Sequence, residues 1–161
     1  MSPDEADRFL DDVVRPTVDE FLYDNRNIRD LRRAKLACIV VASLVDYIFE
    51  ERQELRDGCG KVEALRHKLA DRCLSYKWVW NICDATKHMR LRRGFDISQI
   101  QQSATLLATE DGRVIAKEDR TPIAAWSGVA VLLPNGDEER VDHHVKKALE
   151  YLIAMMGREE L

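Results

Sequence analysis

Hydrophobic positions along the chain follow a helical period through its first half. Phe9, Leu10, Val13, Val14, Thr17, Val18, Phe21 and Leu22 recur every three or four residues, which predicts a helix over 3–23 that continues through Pro16 with a bend there. Ser2-Pro3-Asp4-Glu5 opens it as a capping box with proline at the first helical position. Asp24-Asn25-Arg26-Asn27 breaks the pattern, and Asn27 is placed to cap a second helix over 28–56, with Asp30 near its positive end. From Leu36 to Phe49 this helix is apolar on every face except at Ser43 and Asp46, the pattern of a rod surrounded by others. Gly58-Cys59-Gly60 ends it, and a third helix over 61–75 turns Val62, Leu65, Leu69 and Leu74 inward. A fourth, over 77–92, places Trp78, Ile82, Ala85 and Met89 on one face. Periodicity leaves open whether these last two are separate or one rod bent near residues 75–77.

Beyond Gly94 the pattern shifts toward strands and turns. Thr105–Thr109 and Val114–Lys117 flank Glu110-Asp111-Gly112-Arg113, and Val129–Leu133 and Glu138–Val141 flank Pro134-Asn135-Gly136-Asp137. Each is a hairpin signal, so a small antiparallel sheet is expected over 104–141. Asp142 is placed to cap a closing helix over 143–156 in which Val145, Ala148, Leu149, Leu152 and Met156 form one stripe. The expected fold is mainly α: a four-helix bundle with a small antiparallel β-hairpin sheet and a C-terminal helix, as one domain over 1–161.

Composition narrows the classes. A chain of 161 residues, 45% hydrophobic and 34% charged, has the length and balance of one globular domain. No apolar run approaches the roughly 20 residues that span a bilayer, and the N-terminus is acidic where a secretory signal is basic, so a cytosolic protein without a membrane partner is expected. Cys38, Cys59, Cys73 and Cys83 are spaced too irregularly for zinc, which leaves free thiols and no metal. Phosphate loops, nucleophile elbows and H-E-x-x-H motifs are absent, so no cofactor is expected. The net charge of -4 excludes a wholly basic nucleic-acid-binding surface. Charge is uneven, however: residues 1–24 hold eight acids against two arginines, while 87–93 hold four cations and no acid. Lys87, Arg90, Arg92 and Arg93, with Arg26, Arg29, Arg32, Arg33 and Lys35, form a local basic patch suited to phosphate contacts or to plain solvation of two helix ends.

Asn81, Asp84, His88 and Arg92 share the flank of the fourth helix, with Lys87 on another side. Asp84 and His88 are one turn apart, close enough for the carboxylate to orient the imidazole as a general acid or base, or to form an ordinary helix pair worth a few tenths of a kcal/mol. Asp46 demands a partner, because an ionised carboxylate in an apolar setting costs several kcal/mol if unpaired. His88, Lys87 and Arg92 are the expected donors, either as an architectural tie between helices or as support for a working histidine. His143 and His144 sit where a helix dipole disfavours protonation and receive no role; His67 is expected in solvent.

The segments "VVRPTVDEF", Asp46-Tyr47 and "CDATKHM" resemble a group of small bacterial helical proteins bearing an Asp-Ala-x-Lys-His motif. More distantly the arrangement is similar to HEPN domains, helical bundles that often dimerise and in some members cut RNA without metal. The resemblance implies a bundle that self-associates and His88, Asp84 and Asp46 as site residues. The HEPN signature places an arginine four to six residues before its histidine; positions 82–84 here are Ile82, Cys83 and Asp84. Three functions are thus expected: foremost a noncatalytic interaction module, then a HEPN-like metal-independent ribonuclease or nucleic-acid-binding protein, then a small-molecule binder.

Overall fold

The computed structural model describes residues 5–24, 30–88, 99–106, 108–111, 113–121 and 124–157. The chain is mainly helical with a small three-stranded antiparallel sheet and a C-terminal helix. The first rod is continuous from α1 (Glu5–Phe9) through a π-helical turn at Leu10–Val14 into α2 (Arg15–Leu22). Its buried residues, Ala6, Leu10, Val14, Val18 and Phe21, are spaced mostly by four. That spacing drifts around an ideal α-helix, and the wider π turn brings the stripe back into line. The same widening precedes Pro16, whose ring would press on the carbonyl four residues earlier, so the expected bend is realised as a broadened turn.

The second rod, α3 (Leu31–Glu51), starts later than periodicity suggested. Asp30 is itself the cap, accepting hydrogen bonds from the backbone of Arg32 at 2.9 Å and Arg33 at 3.3 Å; Asn27 lies outside the described residues. α3 buries Ala34, Ala37, Cys38, Val41, Ala42, Leu44, Val45, Ile48 and Phe49. It is less enclosed than expected, for Leu36 is 43% exposed. The rod also stops earlier, at an extended Arg52, followed by the short α4 (Gln53–Cys59). The Arg52 guanidinium crosses to the far end of the chain and donates to the carbonyls of Met155 and Met156 at 3.0 and 2.8 Å, closing the free end of another helix.

α5 (Val62–Arg72) and α6 (Leu74–His88) are separate helices, divided at an extended Cys73 (φ −130°, ψ 102°). β1 (Gln99–Leu106) pairs with β2 (Ala124–Leu132), and β2 pairs with β3 (Glu138–Arg140). The second expected hairpin forms: Leu132 faces Glu138 across a turn in which Gly136 adopts φ +88°, a conformation glycine reaches without strain. The first does not form as a strand pair. β1 pairs with β2 across the intervening segment, whose described residues include an antiparallel bridge between Ala108 and Val114, with Thr109 N–H donating to the Arg113 carbonyl at 2.9 Å. Val129 and Val131 turn from β2 into the common core, which alternation along a half-buried strand permits. α7 (Val141–Met155) buries the expected Val145, Ala148, Leu149 and Leu152. Asp142 is not its cap; the helix begins one residue earlier, and Asp142 binds Arg140 at 2.6 and 3.2 Å.

Because Asp30 alone caps the central rod through its side chain, Asp30→Ala should cost about 1 kcal/mol. For a domain of this size that lowers the melting temperature by about 2–4 °C, measurable by thermal denaturation.

Candidate functional site

Asp46 lies at the seam of three helices. Its carboxylate accepts two hydrogen bonds from the same terminal nitrogen of Arg66 in α5, at 2.6 and 2.8 Å. The donor thus comes from α5, where His88, Lys87 or Arg92 of the following helix had been expected. The geometry explains the choice: Asp46 is 44% exposed on its side chain, on the flank of α3 that α5 covers, and not in the apolar interior. Arg66 is steadied from the other side by Glu63 at 3.6 Å. Lys87 still contributes from α6, donating to the Cys83 thiol and adding positive charge near Asp46. Burial raises the Asp46 carboxyl above the ordinary carboxylate range, and the Arg66 and Lys87 charges oppose that rise.

Around this pair the environment is tight. Tyr76 is fully buried, and neither its hydroxyl nor Arg66 Nε meets an acceptor among the described residues. Burial pushes the Tyr76 phenol and the Cys38 and Cys83 thiols upward, so these sulfurs are neutral and poorly nucleophilic. All four cysteines are free, and no cluster among the described residues has the makings of a metal site. Asp84 is half-buried, and its charge helps raise the Cys83 thiol. The side chain of His88, the expected catalytic group, lies outside the described residues, as do Arg90, Arg92 and Arg93. Asn81, expected on the polar flank, is buried, and its Nδ2 has no partner among the described residues. His67 is exposed as expected, edge-on to Trp80 at 5.0 Å.

A second polar cluster surrounds His144, which the sequence reading left without a role. His144 is buried, with its side chain 7% exposed. Nδ1 lies 3.1 Å from Ser75 Oγ and Nε2 lies 3.0 Å from Glu139 Oε2. The Trp78 ring stacks at 5.6 Å, with an interplanar angle of 26°. Ser75 and Trp78 belong to α6, Glu139 to β3 and His144 to α7, so the cluster joins three elements. Sequence offered two signals for it. His144 falls in step with Val141, Val145 and Ala148 on the buried stripe of the last helix, and an acid stands five residues before it.

A third feature is a shallow apolar groove of about 460 Å³ lined by Leu31, Arg32, Lys35, Leu36, Ile39 and Thr86, between the start of α3 and the end of α6. Among the described residues the side chains of Arg32 and Lys35 have no ion-pair partner.

Comparison with family models, curated proteins and solved structures finds no match. No helix among the described residues is long and apolar enough to cross a membrane.

Burial lowers the proton affinity of His144, and its bond to Glu139 offsets this only in part. An unfolded histidine binds its proton near pH 6.5. The stability linked to a neutral His144 is therefore complete above that pH and is lost as pH falls below it toward the lower folded value. Melting temperature should drop between about pH 7.5 and 5.5, and His144→Gln should flatten that drop; an equal slope in both proteins would contradict it.

Proposed function

We propose that this chain is an interaction module that pairs with a second copy of itself, using the groove at the α3–α6 junction as its docking face. The observation that carries the reading is an unmatched pair of complementary surfaces. The groove presents Leu36, 43% exposed, between Arg32 and Lys35. The outer face of the first rod presents Asp12, Pro16, Asp19 and Tyr23 at helical spacing, with Val13 beside them, all exposed. Tyr23 is 73% exposed, a large area for an aromatic ring left in water. Asp12 and Asp19 make no ion pair among the described residues. Among the described residues, two acids without ion pairs and an exposed tyrosine thus face outward on one element, and two cations without ion pairs flank an exposed leucine on another.

Laying one copy's acidic face in the other's groove buries the apolar residues and lets each cation meet an acid. The core of such a contact would supply affinity and its charged rim register and rate. Reciprocal docking gives a closed pair, because the same two patches meet twice. The Asp46–Arg66 pair then serves as architecture, holding α5 against α3 beneath the docking face. The same reading supports the absence of an acid–base role at Asp46, since its oxygens are taken by a guanidinium that Glu63 also engages.

Sedimentation velocity tests it. The chain should run as a dimer at low ionic strength and shift toward monomer at high salt, where rim charges are screened. Leu36→Asp should give monomer at any salt while keeping the helical signal. A chain that is monomeric throughout, or a dimer indifferent to Leu36→Asp, would overturn the proposal.

A further inference from the structure

We propose that Ser75 is a nucleophile activated by His144 and Glu139, giving the chain an acyl-transfer site for small esters at the corner where α6 and α7 begin. It uses none of the residues of the docking face and stands independently of that reading. The parts of an activated nucleophile are a hydroxyl, a base within hydrogen-bond reach and a third group that orients the base. All three are present, with Ser75 Oγ 3.1 Å from His144 Nδ1 and His144 Nε2 3.0 Å from Glu139 Oε2.

The proton positions follow from the chemistry of the partners. A carboxylate only accepts, so Nε2 carries the hydrogen and donates it to Glu139. Nδ1 is then the bare nitrogen, and the Ser75 hydroxyl donates to it. In the familiar serine triads the two ring nitrogens serve the opposite partners, but the same constellation recurs on unrelated folds and is recognised by roles. Imidazole performs the same transfer through either nitrogen, provided the other is held by an acid. Burial keeps the base unprotonated near neutral pH, and the Trp78 ring stacked at 5.6 Å fixes its plane.

Accessibility runs in the useful direction. The base is buried, whereas the nucleophile is half-buried and its neighbour Leu74 is 60% exposed. Ser75 is also the second residue of α6, in the first turn of a helix, where the dipole favours negative charge, although the N–H groups of Tyr76 and Lys77 there already donate to Cys73. Leu74 offers an apolar contact to a short acyl group.

The reaction closes on these atoms. Ser75 Oγ bonds to the carbonyl carbon of the ester as its proton passes to His144 Nδ1. The bond to the leaving alcohol breaks, and the alcohol departs with that proton. Water then attacks the acyl-serine, giving a proton to Nδ1; the carbonyl–Oγ bond breaks, and Ser75 recovers its hydrogen as the carboxylic acid leaves. Glu139 orients the ring and stabilises its charged form throughout, and is a positioning residue.

A fluorophosphonate probe incubated with the full-length chain tests this, with the labelled peptide located by mass spectrometry. Labelling should fall on Ser75, disappear in Ser75→Ala and slow in Glu139→Gln by about a hundredfold, the range lost when proton transfer to a positioned base is impaired. Glu139 is 44% exposed on its side chain, so Glu139→Gln should retain the wild-type circular dichroism spectrum even if His144→Gln does not fold. No labelling of the folded wild type, labelling that survives Ser75→Ala, or an unchanged rate in folded Glu139→Gln would overturn the proposal.

Discussion

Asp46 lies in the last third of α3, the longest helix among the described residues, and its carboxylate constrains how the neighbouring helices are laid. A charged oxygen cannot be turned into a core of Leu44, Val45 and Ile48 without a donor, because desolvation would cost several kcal/mol. The chain meets this in two ways. It keeps the side chain at the edge of the core, and it brings α5 across so that Arg66 covers both oxygens. That docking fixes the side of α3 on which α5 runs, and the extended Cys73 then turns α6 back along the same rod. Removing one partner leaves the other part-buried and unmatched, a larger loss than the pair's own net worth.

From α6 the consequences reach the rest of the molecule. Its start presents Ser75 and Trp78 to α7, its middle buries Val79, Ile82 and Cys83, and its end carries Lys87 toward Asp46 and Thr86 toward the groove. The sheet is subordinate. It packs Val129 and Val131 against the bundle and positions Glu139 beside His144. One helix thus connects the architectural pair, the apolar groove and the histidine cluster.

Periodicity revealed the helices because burial of an apolar stripe is a local property of spacing, and the mainly helical fold with a small sheet was legible for that reason. The second hairpin was legible too, since Asn135-Gly136 prescribes a turn by its own backbone preferences. The first was legible only in part: a turn with an antiparallel bridge between Ala108 and Val114 forms where Asp111-Gly112 signals it, but the register of β1 is set by pairing with β2, a contact distant in sequence. Cap assignments also shifted. Asp30 and Asn27 are both competent cap types, and residue type alone does not rank them; among the described residues Asp30 is the cap. Asp46 was singled out as a group needing company; its direct hydrogen-bond partner is Arg66 in α5, while Lys87, one of the expected donors, adds positive charge from α6. Arg66 looked like one more surface cation, because nothing local in the sequence says which arginine will cross a seam. His144 was overlooked because the dipole argument at a helix start does not register a carboxylate arriving from a neighbouring strand.

Asp46 and Arg66 act together as the tie between α3 and α5. A double-mutant cycle on unfolding free energy, with Asp46→Asn, Arg66→Gln and the combination, measures it directly. A tie of this kind predicts single losses that are strongly non-additive, with a coupling of about 0.5–3 kcal/mol, the double variant being little worse than either single one. Losses that simply add would contradict it, leaving the carboxylate and the guanidinium as two independent surface charges.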